Sequence, residues 1–245
     1  MSVAVALKVS ESKRLIARGV VASPVFREAY DRGRILIIKG TTNAYIVEEL
    51  TGEPIDKLNF ARGLTLPHGQ RRRAVQGRDL SDVLVERGEV RWGVDIAEAV
   101  ETLGRGDLIL KGANALNYRE RLAGVLIGDP RSGTVGLALR RAVGSHVRLM
   151  IPVGLEKCIS SSIMDAVHYV QRPEHRGEGM MPVWGSIFTE IEALEVLAGV
   201  RATHIGSGGV AGAEGAIWLA YEGDEEQMKR AEAALAAVYG EPNLA

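Results

Sequence analysis

The spacing of apolar residues along this chain switches repeatedly between two periods. Short runs that are apolar on both faces alternate with stretches whose apolar residues recur every three or four positions. Residues 10–18 predict a short helix, and Ser23-Pro24 starts another, with Ser23 as N-cap and Pro24 at the first helical position. Val25, Phe26, Ala29 and Tyr30 share its apolar face, and Gly33 ends it. Residues 34–39 are too short and too evenly apolar for a helix, which is how a central parallel strand reads. Residues 44–50 form the next helix, stopped by Gly52 and Pro54.

The alternation continues. Residues 63–66 predict a weak strand, and Val83, Leu84 and Val85 precede a Gly-bounded turn. Ile96, Val100 and Leu103 have helical spacing and lead into a strand at 108–110. Val125 to Ile127 is another apolar run. A glycine-rich turn at 128–136 then opens a helix and a strand at 147–153. This order predicts an α/β fold, a doubly wound and mostly parallel sheet, over residues 1–160.

Beyond it, residues 171–185 lack periodicity and read as a loop or linker. Residues 164–170 predict a strand and 186–198 an amphipathic helix. Strands follow at 202–205 and 216–221, then a last helix capped by Asp224 and Gln227. The β-α-β-β-α order is most of a ferredoxin-like unit, so residues 161–245 are expected to form a smaller α+β subdomain.

Two loops carry the candidate chemistry. The strand at 34–39 ends in Lys39-Gly40-Thr41-Thr42-Asn43, and the strand at 108–110 ends in Lys111-Gly112-Ala113-Asn114. Parallel strands open their ligand crevice beyond the carboxyl ends. Gly40 permits a tight turn, Thr41 and Thr42 offer hydroxyls, and the following helix offers free N–H groups to a phosphate or carboxylate. The alternative is that Thr42 or Asn43 merely caps that helix. Ser132-Gly133-Thr134 is a third glycine-rich helix start, and the three turns are expected to converge on one face. Lys39 and Lys111 are candidates for anion contact. His68, Lys111 and Glu120 are candidates for proton transfer.

Charge and composition narrow the partners. A net charge of −1 and 5% aromatic residues give no footprint for nucleic acid or anionic membrane. Arg71-Arg72-Arg73 reads as a solvated turn or as a basic loop that engages an acidic ligand. The single cysteine, Cys158, excludes an intramolecular disulfide and a cysteine-rich metal site, and fits a cytoplasmic protein. No apolar stretch approaches the ~18 residues of a membrane span. The five histidines show no metal-ligand spacing. No metal or cofactor is expected; the expected partner is a small-molecule anion.

The pieces around Gly40-Thr41-Thr42-Asn43-Ala44, Lys111-Gly112-Ala113-Asn114-Ala115 and Ser132-Gly133-Thr134-Val135-Gly136 resemble the superfamily of ribose-5-phosphate isomerase, glucosamine-6-phosphate deaminase and CoA transferases, over about residues 10–160. In those isomerases the second piece is similar to an Asp-Gly-Ala-Asp turn with catalytic acids. Lys111 and Asn114 stand there instead, and an amide cannot act as a carboxylate base. The resemblance therefore implies sugar-phosphate or nucleotide-like binding more directly than catalysis. Residues 190–242 resemble bacterial microcompartment shell domains, which share a helix, a Gly-rich strand pair and a final helix; a homo-oligomer is the expected assembly. Two readings stand: an isomerase- or transferase-like enzyme, or a non-catalytic sensor or assembly protein.

Overall fold

The computed structural model describes residues 2–62 and 80–244. The strand expected at 63–66, His68 and the three-arginine loop lie outside the described residues. The chain begins with β1 (Ser2–Leu7), α1 (Val9–Ala22), α2 (Pro24–Arg32), β2 (Arg34–Ile37) and α3 (Thr41–Thr51). Next come β3 (Asp82–Glu86), β4 (Glu89–Val94), α4 (Ile96–Glu101) and β5 (Leu108–Leu110). The middle holds β6 (Ala115–Asn117), β7 (Leu122–Ile127), α5 (Gly133–Ser145), β8 (Arg148–Pro152) and α6 (Ile163–Val170). The chain closes with β9 (Gly179–Trp184), β10 (Ser186–Phe188), α7 (Glu190–Ala198), β11 (Arg201–Ser207), β12 (Ile217–Glu222) and α8 (Glu225–Ala236).

This is an α/β protein, with three sheets among the described residues. The largest runs β10-β8-β5-β2-β3-β4. Its first four strands are parallel, and the β3–β4 hairpin adds antiparallel strands at one edge. β2 and β5 are adjacent, as their paired Lys-Gly ends suggested. Ile35, Leu36 and Ile37 are all buried, because helices and neighbouring strands leave neither face of β2 to water. α1 packs against both α3 and α7, while α4 packs on α5 and α5 on β8. Among the described residues no helix is long and apolar enough to cross a membrane.

Local signals explain the element ends. The Ser23 hydroxyl accepts the Phe26 N–H, with Pro24 starting α2. Asp224 and Gln227 form a reciprocal capping box on α8. β6, β7 and β9 make a separate antiparallel sheet, so the apolar run at Val125 to Ile127 belongs to β7 and not to the main sheet.

Three expectations are corrected. Residues 164–170 are not a strand but lie in α6: the Ser162 hydroxyl caps the helix, and Ile163 and Val167 bury one face at helical spacing. The expected helix at 186–198 begins only at Glu190, since residues 186–188 form β10 and pair with β8. Part of the expected loop at 171–185 is β9. The sheet at the C-terminal end is completed from the other terminus: β1 pairs antiparallel with β12, from Ser2 opposite Glu222 to Leu7 opposite Ile217.

Candidate functional site

Strand register sets the site. Ile37 lies level with Leu110, Leu110 with Met150, and Met150 with Ser186, so four parallel strands end at similar heights. Each then delivers polar residues to the same edge of the sheet. β2 leads to Lys39 and Gly40, β5 to Lys111 and Gly112, β8 to Glu156 and Lys157, and β10 to Thr189 and Glu190. β3 runs the opposite way, so its first residue, Asp82, sits at this edge as well. Asp82 is fully buried; its carboxylate accepts the Lys39 N–H at 2.7 Å and an Arg62 N–H at 2.5 Å.

A cavity of about 580 Å³ opens here. Lys111 and Asn114 form one wall, the end of β7 another, and Ser132-Gly133-Thr134 a third, with Arg62 also lining it. α5 begins with Ser132 and Gly133 both in the left-handed region, at φ of 66° and 50°. No side chain caps it. Its first N–H groups are therefore left for water or an anion.

Lys111 is half-buried, and its Nζ donates to the Gly112 carbonyl at 3.1 Å. Burial, reinforced by the nearby Lys157 charge and opposed by Asp82, lowers its pKa to about 8. Asn114 is held in place by β7: its Oδ1 accepts the Leu126 N–H, and its own N–H donates to the Gly124 carbonyl. Among the residues expected to bind ligand, the cavity thus gathers Lys111, Asn114, Ser132, Gly133 and Thr134.

The first loop is placed differently. Asn43 is fully buried, and its Nδ2 donates to the carbonyls of Ile38 at 2.7 Å and Leu110 at 3.1 Å. It clamps β2 to β5 where the strands diverge. Gly40 donates its N–H to the Phe60 carbonyl, and Thr42 is buried. None of Lys39, Gly40, Thr41, Thr42 or Asn43 lines the cavity. Ala113 is buried, and its carbonyl accepts Lys157 Nζ at 2.7 Å. Glu120 stands in the turn between β6 and β7, where it accepts the Ile163 N–H, and does not line the cavity. His68, the other proton-transfer candidate, lies outside the described residues.

Sequence reasoning missed two other strongly perturbed groups. Glu190 is wholly enclosed, and its carboxyl is pushed up to about 8 by burial and by the neighbouring Glu156 carboxylate. Lys13, on α1, is buried too; its amine is lowered to about 8 by burial and then by Lys157, with Glu156 opposing. Glu156 folds back over Gly154, where a Cβ would collide with its carboxylate. Glu156, Lys157 and Glu190 were findable as polar residues just past strand ends, as Lys39 and Lys111 were. Reading 186–198 as one helix hid Glu190. Lys13 carries no local signal. Among the described residues no three His, Cys, Asp or Glu side chains come together to hold a metal. No family model, curated protein or solved structure matches the chain, so the site is read from its own chemistry.

Proposed function

We propose that the protein binds a small phosphorylated or carboxylated metabolite, a sugar phosphate being the class favoured by the resemblance of its loops, in the cavity at the carboxyl edge of its parallel strands. The observation that carries this is the convergence of an uncapped helix N-terminus, Lys111 and Arg62 on one cavity of about 580 Å³. That volume suits a metabolite. The α5 amides and Arg62 take the anionic group, and Lys111 sits beside it. An amine near pKa 8 both accepts and donates protons at neutral pH, so Lys111 suits isomerase-like proton transfer on such a ligand. In this reading β10-β8-β5-β2 and their helices form a doubly wound layer, and α7, β11, β12 and α8 with β1 form the smaller α+β unit. The lone cysteine and near-neutral charge fit work in the cytoplasm.

Calorimetric titration of the purified chain with fructose 6-phosphate tests the proposal. Saturable binding is expected, weakened about tenfold or more in Lys111→Met and unchanged in Glu120→Ala. Equal affinity in wild type and Lys111→Met would place the ligand elsewhere.

A further inference from the structure

The cavity accounts for only one end of the ionisable groups at this edge. The electrostatic neighbours form a line: Lys13 feels Lys157 and Glu156, while Lys111 feels Lys157, Asp82 and Arg62. Lys157 is thus the middle amine, and the line follows the strand ends from β5 across β8 to β10. Asp82 is taken by Arg62 and the Lys39 amide. The Lys157 and Lys111 amines donate to backbone carbonyls, and Lys13 Nζ makes neither a hydrogen bond nor an ion pair among the described residues. Lys13 is only 7% exposed. Beside it the enclosed Ser12 hydroxyl lies close to Glu190 without a full hydrogen bond, and Glu156 Oε2 is enclosed with no partner.

With burial holding Glu190 toward its neutral form, the amines of Lys13, Lys157 and Lys111 face two carboxylates, Glu156 and, at the Lys111 end, Asp82, which Arg62 already holds. A buried cation without a partner is costly, and an enclosed hydroxyl without a full partner adds to that cost. An anion that enters pairs with the Lys13 amine and accepts from the Ser12 hydroxyl, offsetting both costs against the repulsion of the Glu156 carboxylate. The N-terminal turn of α1 and the ends of β8 and β10 thus carry what a second anion subsite needs: a buried free amine, a second amine and a hydroxyl donor.

We infer that the carboxyl edge holds two anion subsites, one at the α5 cavity and one at Ser12, Lys13 and Lys157, and that the ligand is a small molecule bearing an anionic group at each end. This rests on the proposed anion binding at the first subsite. Adjacent strands lie ~4.8 Å apart, so the strand ends from β5 to β10 span ~10 Å, the reach of a sugar or polyol with two terminal anionic groups. Lys111, between the subsites, stands opposite the middle of such a ligand.

The test is calorimetric titration of wild type, Lys13→Met and Lys111→Met with fructose 6-phosphate, fructose 1,6-bisphosphate and orthophosphate. Wild type is expected to bind the bisphosphate about tenfold or more tightly than the monophosphate. In Lys13→Met that preference disappears while monophosphate affinity stays; in Lys111→Met both sugar phosphates weaken. Should Lys13→Met fail to fold, Lys157→Met reads the same preference. Equal affinity of wild type for both sugars, both still dependent on Lys111, overturns the second subsite and leaves the first. Binding of orthophosphate alone, or a preference that survives in Lys13→Met and Lys157→Met, also overturns it. No binding of any of the three overturns the anion site itself and this inference with it.

Discussion

Lys13 and Arg14 are neighbours on α1, yet they sit in opposite electrostatic worlds. Arg14 bonds Glu48 at 2.6 Å and Glu241 at 2.9 Å, with Glu49 at 3.5 Å, and its guanidinium stacks over Tyr45 at 4.8 Å. Lys57 completes the cluster by reaching Glu48 at 2.7 Å. Burial works against the Glu48 carboxylate, but hydrogen bonds from Lys57, the Ile55 N–H and Arg14 outweigh it and hold the carboxyl below its usual range. Burial likewise opposes the Arg14 charge, and bonds to Glu241 and Glu48 overcome it. One residue earlier, Lys13 is as enclosed and has none of this. A fully paired cluster ties α1 to α3 and to the C-terminal segment. An unpaired one at the strand ends has the makings of a binding site that meets its partner only when ligand arrives.

The comparison breaks most sharply in stability. Arg14→Ala should lower stability by about 1.5–3 kcal/mol, because it removes the bonds to Glu241 and one of the partners of Glu48, which keeps Lys57 and the Ile55 N–H. Lys13→Met should leave stability unchanged or raise it. Urea melts of the two variants, one residue apart, measure the contrast; equal losses would mean that Lys13 is structural.

The two clusters also differ in the sign of their pH dependence. Glu190 has a raised folded pKa, so it favours folding fully below the unfolded carboxyl value of about 4.5, and this is lost as pH rises through about 8. Glu48 has a lowered one, so its contribution is present above that value and lost as the pH falls. Replacing Glu190 by Gln should flatten the stability loss between about pH 4.5 and 8. Melting curves across that range check it; an unchanged slope would assign the loss to other groups.

A smaller effect separates the two loops with similar sequences. Asn43→Ala should cost about 1–2 kcal/mol by leaving the Ile38 carbonyl unbonded and taking from the Leu110 carbonyl one of its two donors, the other being the Ile38 N–H, while fructose 6-phosphate affinity stays the same. Lys111→Met should do the reverse. Smallest of all, Glu120→Ala should shift stability by no more than about 0.5 kcal/mol, since Glu120 is exposed and holds only a helix-start N–H. A change in ligand affinity in that variant would draw the turn between β6 and β7 into the site.

Much of this was legible in the sequence where burial leaves a local mark. β2, β5 and β8 are buried on both faces, and their unbroken apolar runs announce it. The second and third glycine-rich turns do meet at one cavity, because both flank the ends of the β5 and β7 strands. The first turn misled: Asn43 looks like a ligand donor or helix cap, but its amide is clamped between two strands that only the folded sheet brings together. α6 misled for another reason. Residues 164–170 are rich in strand-favouring side chains, and only Ser162 just before them signals the helix. The pairing of β1 with β12 joins the two ends of the chain, so no local pattern could carry it. Lys13 was invisible because a polar residue in a helix reads as solvated, and Glu190 was hidden by the same reading once 186–198 was taken as one helix; their burial comes from elements far away in sequence.

The central claim is that the buried amines at the strand ends await an anion, and their own titration tests it most directly. NMR-detected titration of Lys13 and Lys111, in the free protein and in protein saturated with fructose 1,6-bisphosphate, follows each amine separately. Both are expected to titrate near 8 when free and to move back toward 10.5 when the ligand pairs with them. Amines that titrate near 10.5 in the free protein, or that stay near 8 at saturation, would contradict the account.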